Sequence, residues 1–178
     1  MALFTYKVND EIVLALLQER HAEQLFALID ASRESLERWL PWVKSTHQVD
    51  DSATFIKQSL QQFANNDGFQ AGIWYKGQLA GIVGLHAIDS FHRSTTIGYW
   101  LGKQYEGKGI MTRACRAVVR HCFDTLKLQR VEIHVAVGNK KSKAIPERLG
   151  FKYEGKLRNA EFLKDQFVDV LLYSLTKI

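Results

Sequence analysis

Thr96-Ile97-Gly98-Tyr99-Trp100-Leu101, then Gln104-Tyr105-Glu106-Gly107-Lys108-Gly109, then a long amphipathic run to about Leu126: this stretch decides the fold. It reads as strand, glycine loop, helix. The opening β-branched and aromatic cluster, closed by Gly102, marks a strand. After the loop, Ile110, Ala114, Val118, Cys122 and Leu126 recur every fourth residue, and Cys115, Val119 and Phe123 widen the stripe. That is the period of a helix burying one face. Arg113, Arg116 and Arg120 fall off it.

A glycine turn leading into a helix has a physical use. Gly107 and Gly109 carry no side chain to hold an anion away from the backbone, and the first N–H groups of a helix lack intrahelical partners. With the positive end of the helix dipole they suit a phosphate or pyrophosphate, and Lys108 adds charge. The spacing is not that of a Walker A loop, which needs Gly-Lys-Ser/Thr, nor that of the dinucleotide fingerprint, which needs a third glycine. Taken alone, the two glycines also read as a plain turn.

Length and composition set bounds. At 178 residues and 46% hydrophobic, the chain has material for one sizeable core and is short for two, so a single domain over residues 1–178 is expected. No window approaches the roughly 18 uninterrupted apolar residues of a membrane span, and residues 1–10 lack a basic region followed by an apolar run, so a cytoplasmic, membrane-free protein is expected. Cys115 and Cys122 sit on one helical stripe about 10 Å apart along the axis, too far to bridge, and read as buried thiols. The formal charge of +5 favours polyanionic ligands or an acidic partner surface.

In chain order, residues 11–17 are apolar and read as a strand, with a helical alternative left open by Ala15 and the leucines. Ala22, Leu25, Phe26, Leu28 and Ile29 mark a helix, and Leu36, Trp39 and Leu40 continue a helical face that Pro41 interrupts. Trp39 and Trp42 suit either the core or the wall of a pocket. Asp50-Asp51-Ser52 supplies a cap and acidic first turn for a helix carrying Phe55, Ile56, Leu60 and Phe63. Strands at 69–75 and 78–86 join at Lys76-Gly77, and a polar loop leads back to the opening strand. Beyond the central helix, Val131, Ile133, Val135 and Val137 alternate with polar or small residues, the pattern of a half-buried strand. Residues 140–149 form a short helix ended by Gly150, in which Pro146 either sits in a late first turn or deletes one backbone bond. Residues 151–154, a polar loop from Gly155 and a strand at 168–175 close the chain.

Gln104-x-x-Gly107-x-Gly109 resembles the acyl-CoA-binding motif of the GNAT superfamily of N-acetyltransferases. Asn139 and Ser142 are similar to that family's Asn-x-x-Ser, and Leu149-Gly150-Phe151 to its Leu-Gly-Phe. The stretches Ser32 to Trp42, Ile97 to Gly109 and Leu157 to Ser174 further resemble the bacterial ribosomal-protein serine or alanine N-terminal acetyltransferases. The resemblance implies an α/β fold, with a mixed, mostly antiparallel twisted sheet, two splayed parallel strands and flanking helices. It implies acetyl-CoA as cosubstrate, no metal, and direct transfer to an amine, foremost the N-terminus of a ribosomal or other protein. No nucleic acid is implied, and a homodimer is allowed. A polyamine or aminoglycoside acceptor and a non-catalytic CoA-binding module are the alternatives.

By the same resemblance, the donor is held by Tyr99, Trp100 and Leu101, by Gln104, Tyr105, Glu106, Gly107, Lys108, Gly109 and Ile110, and by Asn139 and Ser142. Strand N–H groups around Tyr99 and Trp100 stabilise the oxyanion. Ser142 protonates the departing sulfur and Glu161, in the polar loop, accepts the amine proton; Ser142 equally suits a helix cap, and Glu161 a solvated charge. Trp39 and Trp42 line the acceptor site. His86 and His134 are further candidate bases, because histidine titrates in the useful range. Gly107→Glu is expected to block the pyrophosphate seat; unchanged CoA affinity in a calorimetric titration would refute the assignment.

Overall fold

The computed structural model describes residues 4–177; residues 1–3 and 178 of the expected 1–178 span lie outside the described residues. The strands are β1 (Thr5–Lys7), β2 (Ile12–Leu16), β3 (Gly68–Tyr75), β4 (Gln78–Asp89), β5 (Ser94–Leu101), β6 (Arg130–Ala136), β7 (Lys152–Leu163) and β8 (Gln166–Thr176). They form one sheet in the order β1-β2-β3-β4-β5-β6-β8-β7. Among the described residues only β5 and β6 run parallel; every other neighbouring pair is antiparallel. The helices are α1 (Ala22–Ala31), α2 (Arg33–Leu36), α3 (Val49–Ala64), α4 (Ile110–Asp124) and α5 (Lys140–Arg148). None of them is long and apolar enough to cross a membrane.

The sheet is covered on both faces. On one, α4 buries Ile110, Ala114, Cys115, Val118 and Cys122 against inward residues of β2 to β6, and Ile145 of α5 joins them. Each such side chain, fully buried, contributes roughly 1.5–3 kcal/mol if aliphatic. On the other, Leu25, Leu28 and Ile29 of α1, Leu36 of α2 and Ile56 of α3 pack on Leu79 and Ile82 of β4. Burial pushes the Cys122 thiol up to about 12 and raises Cys115 as well, so both are inert core residues.

Some readings left open are decided and others corrected. Residues 12–16 are a strand, with Ile12, Leu14 and Leu16 buried in alternation, and β1 pairs beside it; at three residues, β1 is too short to show a period. The cap of α3 is Gln48, whose N–H, with that of His47, is accepted by Asp51 at 3.0 and 2.8 Å. Pro41 opens a 3-10 turn over Pro41–Ser45, where its fixed φ and missing donor do no harm. Pro146 lies inside α5, so the reading with a deleted backbone bond is the one realised. The largest difference is β7, which replaces the polar loop from Gly155. It is an edge strand exposed along nearly its whole length, with register shifts at Tyr153/Gly155 and Leu157/Glu161. With no buried face it has no apolar alternation to read.

Three histidines, His21, His86 and His121, have their pKa lowered chiefly by burial. The His121 ring meets Phe4 and Phe69 edge-on at 5.8 and 6.0 Å. A lowered imidazole pKa means that the fold favours the neutral form, so this stability is complete above about pH 6.5 and is lost as pH falls through the folded pKa. Glu161, raised by burial, works in the opposite sense. The thermal midpoint is therefore expected to fall between pH 7.5 and 5.5, and His121→Leu to flatten part of that slope; an unaltered slope in the variant would exclude His121.

Candidate functional site

The site is a parting of strands. β5 and β6 pair only at Ser94/Arg130, Thr95/Val131 and Thr96/Glu132. Beyond these, β5 stays laddered to β4 as far as Leu101, and β6 to β8 as far as Ala136. Successive N–H groups of a strand point to opposite edges. The Gly102 N–H is bonded to Ala80 of β4 at 2.8 Å, which aims the Trp100 N–H at β4 as well and those of Tyr99 and Leu101 into the gap. Of the two strand amides expected to serve the oxyanion, that of Tyr99 faces the gap and that of Trp100 faces β4.

At the mouth of the gap lies the loop before α4. Gly107 and Gly109 adopt φ of +74° and +69°, a left-handed backbone that a side chain would strain. A Cβ on either would meet nothing within 4 Å, so a side chain there would project into open space. Gly109 is the N-cap of α4, without a capping side chain and with no acidic residue in the first turn. By contrast, α3 carries Asp50 and Asp51 in its first turn. The positive end of α4 is thus left without a counter-charge from its own sequence.

Arg113 orients this loop. Its Nη2 donates to the Lys108 carbonyl at 2.9 Å and its Nε to the Gly109 carbonyl at 3.3 Å, while Nη1 lies 3.7 Å from Glu11 Oε2. With those carbonyls drawn to the guanidinium, the neighbouring amides face outward. The Lys108 ammonium lies 5.6 Å from the Tyr105 ring and 5.8 Å from the Tyr75 ring. Gln104 and Tyr105 form a 3-10 turn with Lys103, and Glu106 pairs with Lys141 on α5, joining the two walls of the gap.

On the α4 and α5 side of the sheet, the Tyr99 hydroxyl donates to the Ser142 carbonyl at 2.9 Å and the Ser142 hydroxyl lies 3.3 Å from the Tyr99 oxygen. The cap of α5 is Asn139, whose Oδ1 accepts from the Ser142 N–H at 3.1 Å. Ser142 is therefore not the cap, and its hydroxyl is turned toward the gap strand.

The opposite face holds the remaining candidates. Trp42, 39% exposed, packs on Trp100 of β5 with ring centroids 5.9 Å apart. The Trp39 ring edge comes within 3.7 Å of a Cβ placed on Gly138, just past β6. Trp42 thus packs beside β5 and Trp39 beside the end of β6. Arg33 fixes the segment between them and α3 by donating to the Val43 and Thr46 carbonyls, both at 2.8 Å. His86 lies over Gly98, whose absent Cβ would sit 2.1 Å from its Nε2. Glu161 is on β7, not in a loop, and burial raises its pKa, partly opposed by His134. His134 Nε2 is 2.8 Å from Glu132 Oε2, and Glu132 also accepts from Arg130 at 2.6 Å. Among the described residues, no group of His, Cys, Asp or Glu is arranged to hold a metal ion.

Residues 11–152 match the profile of the acetyltransferase (GNAT) domain. The chain belongs to the GNAT acetyltransferase family. It is 42% identical over 176 residues to YdaF of Bacillus subtilis (strain 168), covering 98% of this chain and 96% of YdaF. It is 29% identical to the ribosomal-protein-serine acetyltransferase of Escherichia coli (strain K12), covering 96% and 95% of the two chains. The solved structure of the microcin C7 self-immunity acetyltransferase MccE, in complex with acetyl-CoA and AMP, superimposes with a TM-score of 0.94 at 36% identity, covering 96% of this chain and 95% of that one.

As a GNAT acetyltransferase, the chain is an N-acetyltransferase with acetyl-CoA as donor, and the left-handed, uncapped loop has the chemistry that a pyrophosphate requires. Sequence reasoning missed Arg113. It lies off the apolar stripe and its partners are carbonyls, which leave no mark in a sequence; its place in the first turn of α4 was the one available signal. Hydrogen bonds from a charged group contribute roughly 1.5–3 kcal/mol. Arg113→Met is therefore expected to raise the KM for acetyl-CoA about tenfold while leaving S-acetylpantetheine, which has no pyrophosphate, unaffected; equal losses on both donors would refute the orienting role.

Proposed function

We propose that this acetyltransferase transfers the acetyl group of acetyl-CoA directly to the N-terminal α-amine of a protein, foremost a ribosomal protein, working as one unit in the cytoplasm. The observation that carries the reading is the divergence of β5 from β6 after three residue pairs, each strand held from behind by its other neighbour. The uncapped α4 loop and the Tyr99–Ser142 contact support a donor site on one side, and the packing of Trp42 on Trp100, of Trp39 near Gly138 and of His86 over Gly98 supports an acceptor site on the other, with Glu161 of β7 assigned to it through its charge coupling to His134. Donor and acceptor meet through such a gap without a covalent enzyme intermediate, and the two cysteines are buried in the core. The names of YdaF's fellow relatives, serine and alanine N-acetyltransferases of ribosomal proteins, support the acceptor class.

In this reading the outward amides of 107–110 and Arg113 seat the pyrophosphate, and Gln104, Tyr105, Glu106, Asn139 and Leu101 line the donor's path. The Tyr99 N–H stabilises the charge developing on the carbonyl oxygen. Ser142 supplies a proton to the departing sulfur, and Glu161 accepts the amine proton through water. The acceptor decides how strong a base is needed. An α-amine with pKa near 8 is about a tenth neutral at pH 7, whereas a lysine is neutral at well under a thousandth. A carboxylate raised by burial suffices for the first.

A polyamine acceptor would want unpaired carboxylates. Here Glu132 is paired with Arg130 and His134, and Glu154 accepts from Arg130 at 2.8 and 2.5 Å and from Ser174 at 2.5 Å, which holds it at about 2. A panel of peptides with free N-terminal serine, alanine or other residues, set beside spermidine and an aminoglycoside and read by intact mass, tests the acceptor. Peptide acetylation confined to the α-amine is expected; turnover of the small amines alone would overturn the reading. Ser142→Ala is expected to lower kcat more than it weakens CoA binding. Glu161→Gln is expected to lower kcat about a hundredfold, and to remove the limb of the pH profile that rises as Glu161 ionises, above the ordinary carboxylate range.

A further inference from the structure

Pro146 is buried in the interior of α5, where proline is ordinarily disruptive. In an α-helix the N–H of residue 146 would bond to the carbonyl of residue 142. Proline has no N–H, and its ring crowds that same carbonyl. The carbonyl left over is that of Ser142, and it is the one to which the Tyr99 hydroxyl donates at 2.9 Å across the gap. A half-buried carbonyl has to find a partner, and here the partner stands on the opposite wall of the gap.

We propose that Pro146 and Tyr99 act together as positioning residues for Ser142: the proline frees the Ser142 carbonyl, and Tyr99 takes it up and so fixes the serine hydroxyl beside the gap. The inference rests on the reading of Ser142 as the proton donor to sulfur. The two contacts have unequal strength. The carbonyl bond at 2.9 Å has ordinary length and anchors the residue, whereas the hydroxyl contact at 3.3 Å is long for two oxygens and gives way readily. The serine is thereby held in place while its proton stays free to turn. Burial raises the Tyr99 pKa, so the phenol keeps its proton and remains a donor across the working pH range.

The test is a set of three variants, Tyr99→Phe, Pro146→Ala and the double variant, beside Ser142→Ala. Single-turnover acetyl transfer is read on the fastest acceptor of the panel, together with thermal midpoints and hydrogen exchange in the first turn of α5. Tyr99→Phe is expected to slow transfer about tenfold, with the affinity for acetyl-CoA changed less than about twofold. Pro146→Ala restores an intrahelical donor that competes for the Ser142 carbonyl. It is expected to slow transfer by a similar factor without lowering the midpoint, because alanine suits a helix interior. The double variant is expected to be no slower than Tyr99→Phe alone.

Independent roles would give additive losses, and a merely structural role would give losses that track the midpoint; either result overturns the proposal, as does a wild-type rate in Pro146→Ala. Should Pro146→Ala not fold, Tyr99→Phe decides alone, since a wild-type rate there also overturns it. Hydrogen exchange needs no acceptor: faster exchange at 142–145 in Tyr99→Phe supports the anchor, and unchanged exchange refutes it. A wild-type rate in Ser142→Ala would strike the proton-donor reading itself. A slow Ser142→Ala beside unimpaired Tyr99→Phe and Pro146→Ala would strike only the inference.

Discussion

The structure depends on two parallel strands that separate after three residue pairs. Unpaired backbone groups are costly where water is excluded, so strands seldom part unless something holds each of them from behind. Here β4 ladders β5 and β8 ladders β6 along their remaining lengths. The opening is therefore a fixed feature of the sheet and not a frayed end. Helices α4 and α5 lie on one side of the sheet here, and α1, α2 and α3 on the other.

Charge assigns the two sides their partners. A helix N-terminus carries about half a positive charge, worth 0.3–1 kcal/mol to an anion at an exposed site, and α3 spends its own on Asp50 and Asp51. That of α4 is unspent. Arg113 sharpens it by holding carbonyls, the groups an anion would reject, on the far side of the loop. Lys108 rests against two tyrosine rings at 5.6 and 5.8 Å. Exposed ion pairs such as Lys141 with Glu106 add at most about 1 kcal/mol, so the backbone, not the side-chain charges, makes this seat.

What the sequence showed and hid follows from the range of each interaction. The strand, loop and helix from Thr96 to Leu126 were legible because burial imposes a period and the left-handed turns demand glycine. The hairpin at Lys76-Gly77 was legible for the same reason, both residues having positive φ. β7 was hidden because an edge strand with two exposed faces owes nothing to the core. Pro146 was visible as an anomaly, but its partner lies on β5, a contact between residues 43 apart, and only the folded sheet brings Tyr99 to it. The tryptophans at 39 and 42 were ambiguous between core and rim, since their neighbours, Gly138 and Trp100, lie far off in the chain.

β7, the outermost strand, carries Glu161 and pairs on one side only. In the sheet order β8 and β6 stand between its free edge and the ladder of β4 with β5. If Glu161 serves the acceptor as proposed, substitutions along this margin alter acceptor preference and leave the donor loop unchanged.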